Sequence, residues 1–365
     1  MPNTFATNNK KIIKSESGFS LIEVMVSVAV FLIFITAVYG LLRIGVIQRT
    51  TVTTQNEVIK NARLSLNTIG RDAVNAGFGY SRVGGFAPDN LTNIRMGLPA
   101  DTDSEQDLMP SIISGNDINT NNLLPTGRTD VVSFIFRDVT FNNGNSIPLT
   151  GTGSTDNGGS GVRIPTAAGA AAPASPYDLY FISDGARTAL GLVTSVPNTS
   201  TLIFATGSAD PLGINAPFSG SSLVRSRLRK CPDPQTTPPE NDCFDYSSNI
   251  SAVRVTWVSY SVNADGTLIR TLYGNNTGQP SSSQIQVQPI AYNIQNMQVR
   301  YLLRDGTVVD DPSGAGNTQS NLNNIVQIDV TISTRVRIRE NGVDTTKIIN
   351  LNSTFSTKNL NYDIG

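Results

Sequence analysis

Apolar positions along the chain fall into three successive patterns. From Phe19 to Leu42 they are nearly continuous, and Glu23 is the single charged residue. From Ile59 to Ala73 they recur as Ile59, Ala62, Leu66, Ile69 and Ala73, in steps of 3, 4, 3 and 4, which places them in one stripe on a helix. Glu57, Lys60, Arg63, Asn67 and Arg71 lie between them. No proline occurs between Pro2 and Pro88. The spacing therefore predicts one helix from about Phe19 to about Asn75, ~85 Å long at 1.5 Å per residue. Gly77 and Gly79 stop it, because glycine accepts the left-handed conformation that ends helices.

After Tyr80 the period changes to two. Strands are expected at Asp130 to Val139, Tyr177 to Ser183 and Ser200 to Thr206. The run from Ala252 to Val262 is expected to pair with Thr267 to Gly274 across Asn263-Ala264-Asp265-Gly266, a hairpin pattern. Its alternation changes face between Trp257 and Val258, which predicts a bulge. Met297, Val299, Tyr301 and Leu303 share one face of another strand. The clearest strand carries Val326, Ile328, Val330, Ile332, Val336 and Ile338 on one face, with Thr334 as its polar break. Gln327, Asp329, Thr331, Ser333, Arg335, Arg337 and Arg339 lie opposite. The polar, Gly-rich stretches from Thr140 to Ser175 and from Asp310 to Asn323 are read as long exposed loops. The fold class expected is α+β: the carboxyl half of the long helix packed on an antiparallel sheet around one core.

The apolar run of 24 residues reaches ~36 Å as a helix, enough to cross a bilayer. Lys10, Lys11 and Lys14 precede it, and no comparable cluster follows at once. That bias predicts a cytoplasmic amino terminus and an outward head. A secretory signal has a shorter apolar core ending at a small-residue site, which this run lacks. A plain anchor explains the length but not Glu23. A carboxylate near the membrane centre costs about 2.5–3.5 kcal/mol, and less near an end, so Glu23 needs a partner. Gly40 and Gly45 each cost about 1 kcal/mol in a helix interior. They read either as a soft point or as close-packing positions.

Composition narrows the chemistry. The chain has 365 residues, a net charge of −1 and no histidine. Absence of histidine removes the commonest general base and metal ligand, and with them every Ser-His or Cys-His arrangement. No enzyme activity, cofactor or metal is expected. Cys231 and Cys243 flank a Pro- and Asp-rich insert. Paired in an oxidising compartment, they would contribute about 3 kcal/mol; otherwise they are two thiols in a loop. The row Arg335, Arg337 and Arg339 reads as a solvated or edge-protecting face before it reads as a phosphate contact. Asp- and Asn-rich stretches at 261–268 and 305–314 lack the order of a calcium loop and read as turns.

Gly18-Phe19-Ser20-Leu21-Ile22-Glu23, followed by the long apolar run, resembles the class III signal of type IV prepilins. The resemblance implies cleavage by a prepilin peptidase between Gly18 and Phe19, N-methylation of Phe19, and docking in which Glu23 meets the terminal amine of a neighbouring subunit. It divides the chain into a leader (1–18), a membrane and filament-core half-helix (19–42), an amphipathic half-helix (43–76) and a β-rich pilin head (77–365). Gly40 falls where many major pilins carry a helix-softening proline. The segments 63–80, 290–310 and 324–337, with the closing 353–361, resemble PilW-type minor pilins. That group implies a structural role in priming or capping a pilus from a minor-pilin tip complex. Its implied partners are the inner-membrane platform protein, other minor pilins, the major pilin and a tip adhesin. The implied location is the inner membrane before assembly and the cell surface after. A type II secretion pseudopilin of the J type and a surface- or DNA-binding tip module are the alternatives.

Overall fold

The computed structural model describes residues 18–81, 84–100, 107–149, 154–155, 161–165, 174–185, 187–198, 201–215, 249–312, 322–340, 343–357 and 359. One α-helix runs unbroken from Leu21–Asn75, straight through Gly40 and Gly45. Its first half stands free of the other described residues: the side chains from Phe19 to Val46 are almost all exposed. Its second half is covered along Val58, Ala62, Leu66, Ile69 and Ala73. The covered stripe thus begins at Val58, and Ile59 is only half-buried. Each Leu or Ile fully buried there stabilises the docking by roughly 1.5–3 kcal/mol. Gly77 and Gly79 take positive φ of 79° and 59° and turn the chain onto the sheet, where Gly77 N–H donates to Ile135 O at 2.9 Å.

The head is not the single antiparallel sheet expected. Among the described residues there are three sheets, of ten, four and four strands. The largest is mixed, because Phe86 pairs in parallel with Ala189. At its centre Ile250–Val262 pairs with Leu268–Tyr273, Thr129–Arg137, Leu179–Ser183 and Ile147–Leu149. A second sheet is ordered Val308–Val309, Ile294–Leu303, Ile325–Glu340, Val343–Ser356. The third is small and includes Gly161–Pro165 and Thr201–Ala205. The stretch from Thr140 to Ser175 is therefore not all loop; within it Ile147–Leu149, Ser154–Thr155 and Gly161–Pro165 are strands. In the second stretch, 313–321 lie outside the described residues.

No bulge separates Trp257 from Val258; the register to both neighbouring strands is continuous there. The apparent change of face has another cause. The strand is buried on both sides. Val258, Tyr260 and Val262 face the helix side, with Ile69, Phe134, Met297 and Ile328. Val255 and Trp257 face a second core with Leu190, Leu192 and Tyr273, where Trp257 stacks on Tyr273 at 4.0 Å between centroids. A strand covered twice needs a layer on each side, which is why one core becomes several.

Candidate functional site

Gly18, Phe19 and Ser20 precede the helix in extended or irregular backbone and are all exposed, Phe19 to 86%. A β-carbon added at Gly18 meets no atom within 4 Å. The fold therefore does not demand glycine at this position; any demand comes from a molecule that reads the segment. Ser20 is the N-cap, with φ −66° and ψ 140°. Its backbone N–H donates to Glu23 Oε2 at 3.1 Å. Sequence reasoning missed this bond, although Ser followed three residues later by Glu is its sequence signal. The acid thus has a local partner: it caps the helix that carries it, near the positive end of the helix dipole. A carboxylate has about four acceptor sites, so Oε1 remains for a second donor.

The apolar half shields its own polar groups. Ser27 Oγ donates to Glu23 O at 2.7 Å and Thr36 Oγ1 to Leu32 O at 2.7 Å. These back-bonds leave neither hydroxyl as a bare donor facing hydrocarbon. The helix is long and apolar enough to cross a membrane, and none of its apolar window is buried within the chain. At Gly40 and Gly45 an added β-carbon would meet no described atom within 4 Å.

A buried polar clamp joins helix to head. Tyr260 Oη donates to Asp72 Oδ2 at 2.6 Å. Arg270 Nε and Nη2 donate to the same oxygen at 3.1 and 2.9 Å. Burial, and then the Asp72 charge, push the Tyr260 phenol far above its usual range, which keeps it a donor. Asp72 is a buried acid on the covered part of the helix, and this clamp is its physical use. A second, half-buried cation, Arg254, donates to Asp138 at 2.7 Å and Asp178 at 3.1 Å and lies 4.1 Å from the Phe141 ring centre. The acidic turns are used locally. Asn263 Oδ1 accepts from Thr267 N–H at 2.9 Å, Asp305 Oδ1 accepts from Thr307 N–H at 2.9 Å, and Asp310 pairs with Arg300 at 2.7 Å. Cys231, Cys243 and the three lysines before the apolar run lie outside the described residues.

Residues 13–39 match the prokaryotic N-terminal methylation motif, the signal of type IV prepilin-like proteins. The match covers Gly18, Phe19 and Glu23 and runs into the exposed apolar helix. It implies processing by a prepilin peptidase and association with the inner membrane through that helix. No curated protein matches the chain. The chain carries a prepilin-type methylation motif at the head of a membrane-length helix, followed by a large β-rich domain.

Proposed function

We propose that this chain is a minor pilin of the PilW type: a structural subunit, and a substrate of enzymes rather than an enzyme, that primes or caps a type IV pilus from a tip complex. One observation carries the reading. The methylation motif at 13–39 coincides with a bare apolar helix whose lone acid, Glu23, would be the fifth residue of the cut chain. Cleavage after Gly18 creates an amine on Phe19. In lipid, an isolated amine and an isolated carboxylate each suffer desolvation, and pairing between subunits offsets both costs. Pairing also sets axial register, as a buried polar residue does in a coiled coil. Glu23 Oε1 is the atom left for that amine. In this reading the amino terminus is cytoplasmic before assembly and the head lies outside. The partners are the peptidase, the platform protein, the major pilin, other minor pilins and a tip adhesin. Cys231 and Cys243 form a disulfide there.

Mass spectrometry of the mature product tests the reading. The expected first residue is N-methylated Phe19, and any other start overturns it. The same signal serves type II secretion pseudopilins. Gene deletion separates the two: lost surface pili with normal protein release supports the pilus, and the reverse outcome supports the pseudopilin.

A further inference from the structure

The strand Val343–Ser356 ends its sheet, pairing with Ile325–Glu340 along one side. Proteins usually guard such an edge by shortness, proline, a bulge or charge. The other edges among the described residues follow that rule. Asp107–Met109, Ser154–Thr155 and Val308–Val309 are short. Ile285–Ala291, Ile147–Leu149 and Ser195–Asn198 hold Pro289, Pro148 and Pro197. Ile112–Asn119 loses its register after Gly115. Between 348 and 356, by contrast, the sequence has no charge, proline or glycine, and the register is unbroken. Ile349, Leu351, Ser353 and Phe355 turn toward the helix and are only half-buried, while Ile348, Asn350, Asn352 and Thr354 on the other face are exposed.

A row of cations lies beside this edge. Phe355 lies against Gly70 and Ile349 packs with Val58. Strand and helix therefore run side by side in the same direction, ~20 Å of strand against ~18 Å of helix. At ~100° per residue, Arg63, Val74 and Asn67 stand within ~60° of Gly70, and Lys60 and Arg71 within ~100°. All five lie on the side of Gly70 away from the covered stripe of Leu66, Ile69 and Ala73, and all five are exposed. From Lys60 to Arg71 the helix rises ~17 Å, level with 350–355, the uncharged part of the strand. Arg71 stands 3.5 Å from Asp72, yet its side chain is 68% exposed. Lys347 extends the row at its lower end, on the strand face of Ile349. Glu57 is the nearest exposed acid on the helix, one turn before Lys60. At the upper end Asn359 Nδ2 donates to Val74 O at 2.7 Å and closes the trough.

We infer that the trough between this open edge and the basic flank of the helix receives an extended acidic segment of another polypeptide. The segment adds as the next strand. Its backbone pairs with the open N–H and C=O groups of 348–356, and carboxylates at every second residue meet Lys60, Arg63 and Arg71. Alternation selects the occupant. Every second side chain of a strand turns to one face, ~7 Å apart, so three carboxylates span ~14 Å of the row. The intervening side chains fall beside Asn350, Asn352 and Thr354, where no charge is called for. A second copy pairing the same edge antiparallel would point the two helices in opposite directions. Two copies that span one membrane, as the proposed function has it, cannot meet that way.

The test uses the full chain in detergent micelles and short fluorescein-labelled peptides, read by fluorescence anisotropy. One peptide alternates threonine with three glutamates. A second has the same residues with the glutamates together, and a third has lysine in place of glutamate. Two further forms of the first are N-methylated on the odd or on the even backbone nitrogens. The alternating acidic peptide is expected to bind about tenfold or more tighter than the blocked one, and the lysine peptide not at all. One methylated form should lose about tenfold or more and the other keep its affinity, because alternate N–H groups face the edge. The K60Q/R63Q chain should bind about tenfold or more weakly, with the urea midpoint of Trp257 fluorescence unchanged. No binding of the alternating acidic peptide overturns the inference. Equal affinities of the two methylated forms overturn the added strand, and so does equal binding of the blocked peptide. Unchanged affinity of K60Q/R63Q overturns the basic flank. Self-association of the chain alone that K60Q/R63Q abolishes gives the trough to a second copy and overturns the separate partner.

Discussion

The phenol of Tyr260 and the carboxylate of Asp72 meet at 2.6 Å, and this contact locks a helix that leaves the head to the central strand of the largest sheet. Asp72 is nearly inaccessible, and Arg270 completes the group. Removing one member strands the others. Asp72→Ala should destabilise the head by about 3–5 kcal/mol because the Arg270 charge is left uncompensated. Tyr260→Phe should cost only about 1–2 kcal/mol. Urea unfolding of the head followed by Trp257 fluorescence checks the order; equal losses would contradict it.

Gly70 sits on the covered helix face where the Phe355 ring occupies the place a β-carbon would take. Gly70→Ala should therefore force the ring or the final strand to move and cost about 1–3 kcal/mol, despite the better helix propensity of alanine. Pairing it with Phe355→Leu should recover part of the loss. The same urea titration reads both.

Asp130 accepts N–H bonds from Asp117 at 2.9 Å and Val299 at 2.7 Å, and the second bond ties the ten-stranded sheet to the sheet of Ile294–Leu303 and Ile325–Glu340. Burial raises its pKa to about 6, and these two bonds only partly offset that. Between the ordinary carboxylate range and about 6, the folded state holds a proton that the unfolded state has released. Stability must then fall as pH rises through this window, by up to about 1.4 kcal/mol per pH unit for one proton. Asp130→Asn should flatten the slope between pH 4 and 6. An unchanged slope would assign it to other carboxylates.

Glu23 has two tasks that substitution can separate. Glu23→Gln keeps an acceptor for the Ser20 N–H but lacks the charge. The expected outcome is normal cleavage, an intact helix start and failure to enter filaments. Incorporation at the normal level would mean that capping alone is required. Gly18→Ala, which meets no steric obstacle, should leave a heavier uncut precursor on a gel with the head equally stable.

Cys231 and Cys243 should both resist alkylation in the native protein and accept two labels only after reduction, read by intact mass. Opening the bridge should cost about 3 kcal/mol in the chain-entropy description. Labelling without reductant would show two free thiols.

The helix was legible because two hydrophobic periods, continuous and then 3.6, run without a proline to interrupt them. The strand at Ile325–Glu340 was legible because β-branched residues alternate with polar ones for most of its length. Its partner Val343–Ser356 was harder to read. It is an edge strand with most of its residues exposed, so little in its pattern reports burial. Ile285–Ala291 contains Pro289 and is also an edge, which is where proline is tolerated. The strand through Trp257 misled for the opposite reason, since burial on both faces erases alternation. At the amino terminus the spacing of Ser20 and Glu23 contained the cap, but the cost of an acid in lipid drew the eye to a distant partner first.

The uncovered first half of the helix has a logistical consequence. None of the other described residues covers it, so a copy drawn out of a bilayer alone would expose its apolar side chains to water. In the proposed pilin role, a free soluble pool of the mature subunit is therefore not expected. In that role, lipid would be exchanged for neighbouring helices in one continuous movement, with the next contact ready before the last lipid lets go.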